Sequence, residues 1–112
     1  EGIRSAEFKK SQKKLIDIGP KLFCEEISKK EYAAVDEWQT QMQTKIMNVG
    51  TVHLYATGLT PSQQRLTGVN ILKNLNEFVR SRVERNFELL GEASLAVIPE
   101  GPYVVPTLSS GK

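Results

Sequence analysis

Thr60-Pro61-Ser62-Gln63-Gln64-Arg65-Leu66-Thr67-Gly68-Val69-Asn70-Ile71-Leu72-Lys73-Asn74-Leu75 is the stretch on which the fold reading turns. Threonine is a favoured N-cap, proline suits the first helical position, and Gln63 stands where a side chain can reach back to the cap. From there Leu66, Val69, Leu72, Leu75, Val79, Val83, Phe87 and Leu90 recur at steps of three or four, and Ile71 and Phe78 widen the stripe. That period belongs to one face of an α-helix. The spacing predicts a helix from Pro61 to about Leu90, with Gly91 just past its end and one more short helical turn within Glu92 to Ile98.

Working outward, Ser28-Lys29-Lys30-Glu31 has the same capping-box spacing. Tyr32, Val35, Gln39, Met42, Ile46 and Val49 follow at helical steps with Trp38 beside them, which predicts an amphipathic helix to about Asn48. Thr51 to Thr57 reads as a continuation of that helix past Gly50 or as an extended run. Helix is favoured, because no partner strand is evident. Ile3 to Ile18 carries Ala6, Phe8 and Leu15 near one stripe and predicts a first helix. Gly19-Pro20 breaks it, and a short helix over Lys21 to Ile27 follows. Every long element is helical and the connections are short, so the expected fold is all-α, an up-and-down bundle of three to four helices. Trp38, Met42, Leu75, Phe78 and Phe87 are its expected core. Pro99, Pro102 and Pro106 exclude regular helix at the end, so residues 1–98 are expected to form the bundle and residues 99–112 an extended Pro/Gly-containing tail.

The 112 residues amount to one domain's worth of chain, with 25% charged and 39% hydrophobic residues and a net charge of +2. This is neither the composition of a disordered polyelectrolyte nor that of a membrane span, and Leu95-Ala96-Val97-Ile98 is far shorter than a bilayer requires. A single cysteine, Cys24, allows no intramolecular disulfide, and no Cys/His set has the spacing of a metal site. No cofactor is expected. The chain opens Glu1-Gly2-Ile3 rather than with methionine, which reads as an excerpt or as a presequence removed.

Sites are few. His53 is the only histidine, and between Val52 and Leu54 it reads as a packed side chain rather than a base. Cys24 beside Phe23 reads as a small apolar residue. Glu25-Glu26 and Asp36-Glu37 are adjacent on helices and cannot converge, and Glu84 and Glu88 lie among arginines. No catalytic group emerges and no enzyme is expected. Two basic clusters remain: Lys9, Lys10, Lys13 and Lys14, and Arg80, Arg82 and Arg85. Each is a solvated face or a docking face for an acidic surface. Nucleic acid is the weaker partner, because no aromatics are interleaved for stacking on bases. Tyr103-Val104-Val105 lies between prolines, in a segment that is either a disordered terminus or an extended strip laid on a partner.

A lysine-containing turn, then Glu31-Tyr32-Ala33-Ala34-Val35-Asp36-Glu37-Trp38, a long helix, a short loop and Leu66-Thr67-Gly68-Val69-Asn70-Ile71-Leu72-Lys73-Asn74-Leu75 resembles the PsbQ-like extrinsic proteins of the thylakoid lumen, including the algal type. The resemblance covers about Lys14 to Leu90 and lies in helix lengths and apolar spacing. It implies a small helical bundle at the lumenal face of the plastid thylakoid, peripheral to photosystem II. Its partners would be protein subunits of a membrane complex, neighbouring pigment-protein subunits among them. The expectation is therefore a non-catalytic accessory subunit docking through Lys9, Lys10, Lys13, Lys14, Arg80, Arg82, Arg85, Tyr103, Val104 and Val105. A small basic-faced protein that binds nucleic acid is the alternative.

Overall fold

The computed structural model describes residue 3 and residues 5–107. The described residues form an all-α fold of four helices, α1 (Ala6–Ser28), α2 (Glu37–Met47), α3 (Pro61–Leu66) and α4 (Leu75–Leu90). To these are added two strands of two residues each, β1 (His53–Leu54) and β2 (Asn70–Ile71), and a 3-10 turn at Gly101–Tyr103. The chain divides after Leu75 into two units, each described by itself below.

The first unit is built on a fold-back. Gly19 interrupts α1 with φ 81° and ψ 164°, a region open almost only to glycine, and Pro20 restarts the helix. Lys14 pairs with Glu26 across the break. In a continuous helix twelve residues separate two groups by about 18 Å, so the halves of α1 must lie side by side. The break expected at Gly19-Pro20 is therefore present. α2 runs with the first half of α1: Ser5 Oγ donates to Asp36 Oδ2 (2.7 Å) at one end, and Asn48 Nδ2 lies 3.5 Å from the Pro20 carbonyl at the other. The first half of α1 runs up, the second half down and α2 up again, so that α2 lies parallel to the first half. Among the described residues, Leu15 and Phe23, one on each half of α1, are the buried hydrophobic ones.

Several boundaries differ from those the sequence predicts. Ser28-Lys29-Lys30-Glu31 does not start a helix; Ser28 closes α1, its hydroxyl donating back to the Glu25 carbonyl at 2.8 Å. α2 begins only at Glu37, after Asp36 turns the chain through a left-handed conformation (φ 61°). The helix does not continue past Gly50, since His53 and Leu54 pair in parallel with Asn70 and Ile71. That partner strand was hidden inside the expected long helix. Thr60 does cap α3 with both halves of a capping box, but α3 stops at Leu66 and Gly68 takes a positive φ of 68°. A Cβ there would come within 3.4 Å of Ile16 Cγ1, so glycine also permits the close approach of this turn to α1.

In the second unit, α4 ends as expected, with Gly91 at φ 72° and its N–H donating to the Phe87 carbonyl (2.9 Å). Glu92 to Ile98 forms no helix. The expected core is also corrected: Trp38, Met42, Leu75 and Phe87 are exposed and Phe78 is half-buried.

Candidate docking surfaces

α2 is amphipathic in the inverse sense to the one its sequence suggests. Its inward face is Glu37, Thr40 and Thr44, all buried, and its outward face is Trp38, Met42 and Ile46, with Val35 and Val49 just beyond the two ends. The inward face works because each polar group has a partner. Glu37 accepts from Lys30 Nζ at 2.7 and 3.0 Å through its two oxygens. Thr44 Oγ1 donates to the Thr40 carbonyl at 2.6 Å.

Gln12, fully buried on α1, joins this face to the turn after α3. One end of its amide lies 3.2 Å from Thr40 Oγ1 and 3.0 Å from Gln43 Oε1, and the other lies 3.2 Å from both the Leu66 and the Thr67 carbonyls. With nitrogen toward the carbonyls the amide donates twice and accepts from Thr40, leaving one oxygen-to-oxygen contact with Gln43 Oε1, whereas the reverse sets its oxygen against two carbonyl oxygens. The network therefore assigns the nitrogen to the carbonyl side. Gln43 Nε2 also donates to the Thr67 carbonyl, at 2.7 Å. Threonines are small enough to let the helices approach, and a seam of hydrogen-bonded side chains replaces the apolar contact that the stripe of α2 would have made.

That leaves the apolar residues of α2 outside. Trp38 is 63% exposed, Met42 52% and Ile46 58%. No charged side chain lies among them.

The two basic clusters lie on separate units. Lys10, Lys13 and Lys14 are exposed on the first half of α1 and Lys9 is half-buried, so only part of that cluster faces solvent, and Lys14 is engaged with Glu26. Lys10, Lys14 and Lys30 line a cavity of about 240 Å³ together with Glu7 and Glu37, which gives it mixed charge. Arg80, Arg82 and Arg85 are exposed on α4, and the Arg82 guanidinium sits 5.3 Å from the centre of the Phe78 ring.

Tyr103, Val104 and Val105 are exposed, Tyr103 inside the 3-10 turn and the valines after it. From Asn76 onward no described residue is buried. Phe87, Leu90, Leu95 and Val97 all face out.

His53 on β1 lines an apolar cavity of about 330 Å³ with Phe8, Leu54 and Leu59, and its Nδ1 is buried. Cys24 is a half-buried free thiol, its sulfur 3.6 Å from Asn48 Nδ2. Among the described residues no three His, Cys, Asp or Glu side chains are grouped to hold a metal ion, and no helix is long and apolar enough to cross a membrane.

The outward apolar face of α2 is the surface that sequence reasoning missed. Its signal was present in the small, uncharged residues Thr40 and Thr44 at helical spacing opposite the stripe, a pattern that can line a helix contact as readily as leucines can. No family model, curated protein or solved structure matches this chain.

Proposed function

We propose that this protein is a non-catalytic accessory subunit that attaches to a larger protein assembly through α4 and the segment that follows it. One observation carries the reading: from Asn76 to Thr107 the chain presents Phe87, Leu90, Leu95, Val97, Tyr103 and Val105 with no buried side chain to hold them in place. Exposed apolar residues on this scale mark a surface meant to be covered. An amphipathic helix followed by a proline-bearing strip suits a groove on another protein, and Arg80, Arg82 and Arg85 suit an acidic rim around it. The proposed assembly is a membrane complex, with the subunit peripheral to it. The resemblance to extrinsic thylakoid-lumen proteins is what points to a photosystem, and to the plastid thylakoid lumen as the compartment.

The test is fractionation of the native source at low ionic strength. The protein is expected to co-migrate with a large complex, to be released by high salt, and to lose attachment when Phe87 and Leu90 are both changed to serine. A protein that migrates alone at low salt overturns the reading.

A further inference from the structure

We infer that the outer face of α2 is an interface between two copies of this chain, paired antiparallel about a two-fold axis at Met42. This rests on the first unit and is independent of the docking role given to α4. The face is a helix side turned inside out: Thr40 and Thr44 are fully buried, while Trp38, Met42 and Ile46 stand in solvent over three turns. Nothing about the inward packing requires large apolar residues on the opposite side, and placing them there costs solubility unless something covers them.

The order of the residues indicates what covers them. Trp38 and Ile46 are each four positions from Met42, and Val35 and Val49 are each seven. An isologous two-fold contact needs a patch complementary to itself. Antiparallel pairing centred on Met42 sets Met42 against Met42 and Trp38 against Ile46, so that the exposed apolar residues of the helix itself meet one another. Charge selects the same orientation. Lys45, the one charged residue on the exposed flank of α2, falls opposite Gln39 when the helices run antiparallel, but opposite a second Lys45 when they run parallel. The antiparallel helix dipoles also oppose each other favourably.

The contact is small. Covering about 100 Å² on each of Trp38, Met42, Ile46 and Val49 buries about 400 Å² per copy, or about 800 Å² in all, the scale of a weak, transient association. Association is therefore expected to be weak and concentration-dependent, on the order of 100 µM.

Trp38 is the only tryptophan, so it reports on its own surroundings. The full chain is expected to sediment as a dimer at on the order of 100 µM and to dissociate on dilution, with Trp38 emission moving to longer wavelength as it does. Met42→Lys should weaken association at least tenfold while leaving the circular dichroism spectrum unchanged. In a Cys24→Ser background, Met42→Cys treated with diamide should give a disulfide-linked dimer, whereas Gln39→Cys, displaced from the axis, should not. Sedimentation as a monomer at every concentration overturns the inference. So does a monomer with Trp38 shielded at all dilutions, which would put another segment of the same chain on the face. A Trp38 shift seen only with phosphatidylglycerol vesicles would assign the face to lipid, and equal cross-linking of the two cysteine variants would remove the axis from Met42.

Discussion

Gln12 and Thr40, from different helices, meet side chain to side chain at 3.2 Å with no solvent-exposed surface on either. The contact holds α2 with its polar side inward, so the amphipathy of that helix follows from this polar seam and not from an apolar core. Buried amides are stable only when satisfied, and removal of one partner leaves the full desolvation cost of the other. Gln12→Ala should therefore destabilise the protein by about 1–3 kcal/mol, because the Leu66 and Thr67 carbonyls lose their donor. Thr40→Val, nearly the same in shape, should cost less, since Gln12 keeps its contacts with the two carbonyls. The midpoints of urea unfolding, compared at constant slope, measure both.

Gly19 governs the fold-back of α1. Its φ and ψ lie where a side chain is strained whatever the free space, and no heavy atom stands within 4 Å of the position a Cβ would take. Gly19→Ala should cost about 1–3 kcal/mol through backbone strain alone. Glu26→Gln, which removes the Lys14 ion pair but leaves the turn, should cost under about 1 kcal/mol, because both side chains are half exposed. Thermal unfolding of the two variants separates the turn from the ion pair. An equal loss in both would show that the pair, not the turn, holds the halves together.

Much of this architecture was legible in the sequence, and the failures share one cause. Gly19-Pro20 and Gly91 were read correctly because their conformational restrictions are local. Thr60 with Pro61 and Gln63 marked a true helix start for the same reason. The extent of α3 and the facing of α2 were not legible, because both are decided by distant partners. Val69-Asn70-Ile71 fits a helical stripe by spacing, yet Asn70 N donates to the Val52 carbonyl and Leu72 N to the Leu54 carbonyl, a choice that depends on a segment about eighteen residues away. Periodicity located the stripe of α2 without saying which side faces inward. The basic residues were placed on helices by the sequence, but Lys9 and Lys14 are partly taken up by packing and by Glu26, and the tail expected to be extended makes a 3-10 turn at Gly101–Tyr103, with residues 108–112 outside the described residues.

The two capping-box sequences make a direct comparison. Thr60 accepts from the Gln63 N–H at 3.3 Å and its own N–H donates to Gln63 Oε1 at 3.0 Å, whereas Glu31 has no such role and Ser28 bonds backward. Thr60→Ala should cost about 1 kcal/mol. Glu31→Ala should change stability by less than about 0.5 kcal/mol, as for a surface site with no special feature. Comparable losses in chemical denaturation would mean that Glu31 caps a helix after all.

Phe87 gives the most direct check on the docking segment, because it needs no knowledge of the partner. On the solvent-facing side of α4 it is 63% exposed, and no described residue after Leu75 is buried. A phenylalanine that packs in a core costs about 3–5 kcal/mol when truncated to alanine, while an exposed one costs a fraction of that. Phe87→Ser and Leu90→Ser should each leave the unfolding midpoint within about 0.5 kcal/mol of the parent, and should raise solubility by removing apolar surface. Arg82→Ala should behave the same way in unfolding, since Arg82 is exposed, but should flatten the salt dependence of attachment to the assembly. A loss above about 2 kcal/mol in either apolar variant would place α4 in the protein's own core, and the surface proposed for the partner would no longer be available to it.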